Sequence, residues 1–439
     1  TESKLLDQPG GIFVRNIDQV PEDDRILFQA VARLVFSDRY GALEEQIDRR
    51  VVPEADIPEL ASERQQETSE PLPSLTSREL EFFNGLGGFT RDGREYIIQL
   101  KPGQSTPAPW VNILANPFFG TIISESGSAS SWSENAHQFR LTPWHNDPVE
   151  NPSGEAFYIR DEETGLFWSP MPARASAEAF CVCRHGHGYT VFEQTHAGLS
   201  SETTVYVAID DPLKFTAITL RNTTGRTRRV SITGYCEWVL GEHRDHSAMH
   251  VVTRLDPQSG AIFAQNAFSL DFADRIAFFH CSGEDRTLTA DRTEFIGRNG
   301  SLADPAALRR EHLSNRVGAG LDPCAAIQTW FEIQPGDQIQ VVFCLGAAQT
   351  EDEARARLRH QAGTSGARQA LEKVWDFWQR QLGGVYVETP DASVNFLVNH
   401  WLLYQILSSR FWGRTGFYQS SGAYGFRDQL QDSLAFLRE

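Results

Sequence analysis

Cysteine and methionine are scarce in this chain, six and two among 439 residues. Thiols so thinly spread do not make a disulfide scaffold, so stability has to come from packed cores. No apolar run reaches the roughly 18 residues of a membrane-crossing helix. The opening TESKLLDQPGG lacks the basic start and apolar stretch of a secretory signal, and the cytoplasm is the expected compartment. Basic residues are in deficit, 40 Lys and Arg against 58 Asp and Glu, for a formal net charge of −18. A surface of that sign repels nucleic acid and anionic membranes, and it favours a neutral or locally bound substrate.

What the chain does have is bulk and aromatics. Its length is a soft prior for two to four domains. The 10 Trp and 28 Phe suit large β-sandwich cores, with sugar-stacking platforms as the other use of such residues.

Five stretches differ in texture. Residues 1–52 read as a helical segment, with Ile26, Leu27, Ala30, Val31, Leu34 and Val35 at helical spacing behind Pro21 and three acidic residues. Residues 53–79 are polar and proline-dotted, a linker or extended arm. From 80 to 348 short alternating runs such as EYIIQL, FTAITLRN and IQVVFCLG are separated by turn residues, which predicts a large antiparallel β-sandwich. Residues 349–384 carry linker helices, with Thr350 as N-cap of the first and Gly383-Gly384 ending the second. In 385–439 a strand-like VYVETP precedes SVNFLVNHWLLYQILSSRFWG, a helix apolar on nearly every side. Such a helix belongs deep inside a larger α-domain.

Four segments have the residue types for chemistry. Residues 116–170 are loop-rich and place Trp144, His145, Asn146 and Asp147 together in TPWHNDP. A pyranose calls for a stacking face beside amide and carboxylate groups; hairpin loops with Asn-Asp-Pro turns account for the same residues. Cys181, Cys183, His185 and His187 in CVCRHGHG, and His243, His246 and His250 in GEHRDHSAMH, have metal-like residue types. Neither has a second ligand pair or an HExxH pattern, so half-buried strand residues and a loop are expected, without a metal. The end, GFYQSSGAYGFRDQLQDSLAFLRE, gathers Arg427, Asp428 and Asp432 close behind Arg410 and Arg414. Arg and Asp at the mouth of an α-domain can bind sugar hydroxyls or an oxyanion. A helix start with an internal Arg–Asp pair is the other reading.

Four segments taken in order carry a resemblance: NGLGGFTRDGREYII, TPAPWVNILANPFFG, LTPWHNDPVENPSGEAFYIRD and GFYQSSGAYGFRDQLQDS. They resemble the family-94 glycoside hydrolases, in particular the 1,2-β-oligoglucan phosphorylases and the phosphorylase-like region of cyclic β-1,2-glucan synthases. The resemblance implies a β-sandwich, linker helices and an (α/α)6 catalytic barrel of which 385–439 is the start. It implies inverting, reversible phosphorolysis of β-1,2-glucan to α-glucose 1-phosphate, with inorganic phosphate as co-substrate and no organic cofactor. It assigns Arg427 and Asp432 to the non-reducing-end glucosyl unit, with Asp428 and Arg414 as further candidates. The loop bearing Trp144, Asn146 and Asp147 would reach towards the substrate channel, and a homodimer is expected. The general acid is expected beyond Glu439, so a complementary C-terminal barrel segment is expected as partner. A fragment of the synthase itself, or a non-catalytic glucan-binding or dimerisation module, are the alternatives.

Overall fold

The computed structural model describes residues 6–48, 78–172, 179–361, 363–384 and 386–434. The linker expected over 53–79 lies outside these residues except for its last two positions. Strands β1 (Gly87–Phe89), β2 (Glu95–Leu100), β3 (Val111–Ala115), β4 (Phe119–Ser124), β5 (Ala129–Ser133), β6 (Glu155–Asp161) and β7 (Phe167–Trp168) come first. They are followed by β8 (Cys181–Gly186), β9 (Tyr189–His196), β10 (Leu199–Val207), β11 (Leu213–Asn222) and β12 (Arg228–Glu237). The last are β13 (Val251–Leu255), β14 (Ile262–Asn266), β15 (Ile276–Cys281), β16 (Arg286–Asp291), β17 (Pro323–Ile333) and β18 (Gln338–Ala348).

They form a ten-stranded sheet, β1-β2-β8-β9-β10-β11-β18-β15-β14-β13, a five-stranded sheet, β16-β17-β12-β6-β7, and the three-stranded β3-β4-β5. Neighbouring strands run antiparallel throughout, as in β11 on β18, where Phe215 faces Cys344 and Ile218 faces Val341. The expected antiparallel sandwich, followed by helices, is what forms.

Why β18 is buried along most of its length follows from its period of two. Val341, Phe343, Leu345 and Ala347 enter the core between the sheets. Val342, Cys344 and Ala348 point the other way, into a second core roofed by helices. That roof is made by Glu351–Gln361 and Thr364–Leu382. Thr350 accepts the backbone N–H of Glu353 at 3.2 Å and caps the first of these helices. The second buries Ala367, Ala370, Val374, Trp378 and Leu382, a single stripe at helical spacing.

Two expectations need correction here. Residues 386–390 form no strand; Asn399 bonds both the N–H and the C=O of Val387, each at 2.8 Å, so side chains replace a partner strand. The N-terminal helix is Glu22–Val31, and Ala32 turns to ψ 135, which leaves Leu34 and Val35 beyond its end. None of the described side chains of the arm 6–48 is buried.

The helical run over 392–413 is composite, with α-helix at Ala392–Phe396 and Leu402–Gln405 and wider π turns at Leu397–Trp401 and Ile406–Gly413. Asp391 caps it, accepting from the Ser393 N–H at 2.9 Å. It does pack deeply on one side. Trp401 and Tyr404 join the second core, and Ile406–Gly413 lies on β3 and β4. Arg414 ends it in the left-handed conformation, φ 49.

Candidate functional site

The segment behind β5 and the terminal stretch meet. Ser420 Oγ donates to the Ala136 carbonyl at 2.6 Å, Arg414 Nη2 to the Glu134 carbonyl at 3.0 Å, and Asn135 Nδ2 to the Gly422 carbonyl at 3.4 Å. Gly422 has φ +62, and a Cβ there would lie 2.2 Å from Asn135 Oδ1, so the close approach requires glycine. Phe417 and Trp144 line one small cavity of about 20 Å3 together with Ser124, Ser128 and Asn151.

Arg140 lies at the centre of this junction. Its Nε donates to Ala136 O at 3.2 Å, Nη1 to Glu242 O at 2.7 Å and Nη2 to Ser420 O at 3.3 Å. The guanidinium sits 5.1 Å from the centre of the Trp144 ring. Thus TPWHNDP, GEHRDHSAMH and the terminal packet, far apart in the chain, adjoin one buried cation.

Individual side chains stand as follows. Asp147 Oδ1 accepts the backbone N–H groups of Val149 at 3.0 Å and Glu150 at 2.9 Å, so this carboxylate closes an Asn-Asp-Pro turn. Asn146 is exposed and Trp144 half-buried. His145 is exposed at the surface, and partial desolvation together with the Arg140 charge lowers its pKa, opposed by the charges of Glu237 and Asp147. Thr142, two residues before Trp144, is tied down from below. It accepts the Ser131 N–H at 2.8 Å and donates to Glu155 Oε1 at 2.9 Å, while Glu155 pairs with buried Lys214 at 2.7 Å.

In the terminal packet the helix is Phe426–Ser433. Asp432 pairs with Arg410 of the preceding helical run, and Asp428 with Arg427 at 3.2 Å. Arg427 is 83% exposed and does not meet Asp432. Arg414 stacks on Tyr424, 4.8 Å from the ring centre. The internal Arg–Asp pair anticipated as the other reading is present.

Of the histidines of GEHRDHSAMH, His246 and His250 sit in short helical turns, Arg244–Ser247 and Ala248–His250, where a loop was expected, and His243 is the extended residue just before the first turn. Among the described residues no group of three or more His, Cys, Asp or Glu side chains is placed to hold a metal ion. No helix among them is long and apolar enough to cross a membrane. A cavity of about 820 Å3 lies next to the small one, between Glu125, Phe157, Trp168 and Met171. The two share Ser128 and Asn151, and the larger is also lined by Pro148 and Glu150 of the same loop, but not by Trp144, Asn146, Asp147, Arg414, Arg427, Asp428 or Asp432.

Sequence reasoning missed Arg140 together with its partners Ala136, Glu242 and Ser420, and Asn135, which bonds Gly422. No local signal set it apart, since Arg140 between Phe139 and Leu141 reads as the ordinary alternation of a half-buried extended segment.

Comparison with known proteins adds the following. The family description "Glycosyl hydrolase 94, supersandwich domain" matches residues 94–362, and "Glycosyl hydrolase 94 superfamily, catalytic domain" matches 377–438. The chain is 39% identical over 432 residues to the cyclic beta-(1,2)-glucan synthase NdvB of Rhizobium meliloti (strain 1021), covering 95% of this chain and 15% of that protein. It is 26% identical over 366 residues to the N,N'-diacetylchitobiose phosphorylase of Vibrio furnissii, covering 80% of this chain and 44% of the enzyme. With the solabiose phosphorylase of Paenibacillus borealis it shares 26% over 362 residues, 80% of this chain and 45% of that one. The chain therefore spans less than half the length of each of these relatives.

Proposed function

This chain belongs to the glycosyl hydrolase 94 family, and from that premise we propose that it is part of a glycoside phosphorylase acting on β-1,2-glucan. In the proposed reaction a phosphate oxygen attacks the anomeric carbon of the terminal glucosyl unit as the glycosidic C–O bond breaks on the opposite face. The product is α-glucose 1-phosphate, and the leaving oxygen takes a proton from a carboxylic acid. An inverting hydrolase needs a second carboxylate to activate water. Phosphate is already an anionic nucleophile, so one acid suffices.

No residue of this chain is assigned as that acid. Asp391 is committed to capping a helix, and Glu388 is exposed beside it. The proposal has 385–439 open an (α/α)6 barrel completed by a C-terminal segment. Arg427 and Asp432 bind the glucosyl unit, Asp428 and Arg414 assist, and Trp144, Asn146 and Asp147 flank the channel. A homodimer and a cytoplasmic setting belong to the same proposal. The arm supports the first, since it presents Leu27, Phe28 and Val31 to solvent. The six free thiols support the second.

The observation that carries the reading is the junction itself, where residues 134–140 of the sandwich domain bond the stretch 414–422 that leads to the helix bearing Arg427 and Asp432. The β-1,2 linkage is supported by the 39% identity with a protein named for that glucan. The same identity favours a second reading, a module of a cyclic glucan synthase; a glycosyltransferase encoded in the same gene would decide for it.

The test is phosphate release from α-glucose 1-phosphate with sophorose, cellobiose or chitobiose as acceptor, using protein that carries a complete catalytic domain. Preference for sophorose is expected. Release with cellobiose or chitobiose alone would refute the linkage, and oligosaccharide binding by this chain without any release would favour a binding module.

A further inference from the structure

We propose that Arg140 is a positioning residue through which the sandwich domain sets the placement of Arg427 and Asp432. What those two residues bind rests on the reading above; that Arg140 holds their segment does not.

Arg140 is 4% exposed, and among the described residues no carboxylate pairs with it. Burial lowers its pKa, with the charge of Glu242 opposing. A buried cation without a bonded counter-charge is costly, and an apolar side chain at this position would avoid that cost. What the guanidinium supplies instead is a planar fork of donors with fixed directions. Here the fork engages three carbonyls, those of Ala136, Glu242 and Ser420, while its face lies on Trp144. A Lys ammonium keeps the charge but cannot span the three acceptors with that geometry.

The other fasteners all grip the same few residues. Ser420 Oγ shares the Ala136 carbonyl with Arg140, and Asn135 and Glu134 hold Gly422 and Arg414. Glu134 is itself fixed by Arg275 at 2.5 Å. The stretch 414–422 is thereby pinned at both ends and in the middle. Beyond it comes the helix bearing Arg427 and Asp432, which has no buried residue of its own and exposes 88% of Phe426. Its placement is set jointly by the pinned stretch before it and by the Arg410–Asp432 pair that ties it to Ile406–Gly413, and a segment with so few contacts opens locally at little cost once released.

The experiment compares wild type with Arg140→Lys by hydrogen exchange on this chain, and by phosphorolysis kinetics on protein with a complete catalytic domain. Amides in 414–424 are expected to exchange at least tenfold faster in the Lys variant, with β10, β11 and β18 unchanged. The kcat/KM for sophorooligosaccharide is expected to fall about 100-fold, the scale of a misplacement of about 1 Å. Asn135→Ala, which removes one peripheral fastener, is expected to give a smaller effect in the same direction, and it serves if Arg140→Lys folds poorly. Unchanged exchange in 414–424 overturns the proposal. So does faster exchange spread through β12 and β17, the mark of a general core role. Should wild type show no phosphorolysis, the functional reading fails and the exchange pattern alone decides the role of Arg140.

Discussion

Tyr404 Oη donates to Asn112 Oδ1 at 2.7 Å, which ties the helical run over 392–413 to β3. Asn112 is buried and its Nδ2 donates to the carbonyls of Gly186 at 2.9 Å and Tyr189 at 3.0 Å. One amide thus joins the three-stranded sheet, the β8–β9 turn and the helix. Tyr404→Phe leaves Asn112 Oδ1 buried without a donor and is expected to cost about 1–3 kcal/mol. Urea unfolding checks this; a loss below about 0.5 kcal/mol would mean that the seam is held elsewhere.

Lys214 and Glu155, 3% and 4% exposed, form an ion pair whose remaining bonds go to Thr121, Ser131 and Thr142. Lys214→Met strands a carboxylate in the core and is expected to destabilise by about 3–5 kcal/mol. Adding Glu155→Leu should recover part of that loss. A double-mutant cycle in urea with purely additive losses would contradict the coupling.

Acid stability depends on buried imidazoles. Burial pushes His185 and His280 down to about 4 and His187 to about 3, from 6.5. His185 has its Nε2 3.0 Å from the Trp110 carbonyl, which opposes the lowering, and its Nδ1 2.9 Å from Thr190 Oγ1; burial outweighs the carbonyl. Below pH 6.5 the unfolded chain takes up protons that the folded one refuses. Stability is therefore full above 6.5 and falls towards pH 4, by up to about 1.4 kcal/mol per pH unit for each histidine. His187→Asn should lessen the slope measured by unfolding between pH 7 and 5; an unchanged slope would contradict it.

Gly188, at φ +84 in the β8–β9 turn, leaves no room for a side chain, since a Cβ would lie 2.3 Å from Trp378 Nε1. Gly188→Ala combines overpacking with a left-handed backbone and is expected to cost about 1–3 kcal/mol or more. Thermal unfolding reads this directly, with a neutral result counting against the packing of Trp378 on that turn.

How much of this could be read in advance differs by element. The run EYIIQL is β2 residue for residue, and the stripe on Thr364–Leu382 follows from spacing alone. Local pattern suffices in such cases because burial faces one way. The π turns at Leu397–Trp401 and Ile406–Gly413 leave no such signature in an almost uniformly apolar helix. For the site, the grouping of Arg410, Arg414, Arg427, Asp428 and Asp432 is legible, but not that Asp432 turns to Arg410 and Asp428 to Arg427. Those partnerships, like the grip of Arg140 on Ser420, depend on tertiary approach, which spacing does not encode.

Asp432→Asn removes a charged acceptor proposed to bind the glucosyl unit and should lower kcat/KM about 10- to 100-fold, the scale of one hydrogen bond to a charged group. The Arg410–Asp432 pair is exposed, so little change in stability should accompany it. Steady-state phosphorolysis checks the first point and thermal unfolding the second.

The most direct measurement is of the product formed from sophorotriose by protein with a complete catalytic domain, followed by NMR with and without inorganic phosphate. The account predicts α-glucose 1-phosphate, formed only when phosphate is present. Free glucose released at the same rate without phosphate, or the β anomer of the sugar phosphate, would contradict it.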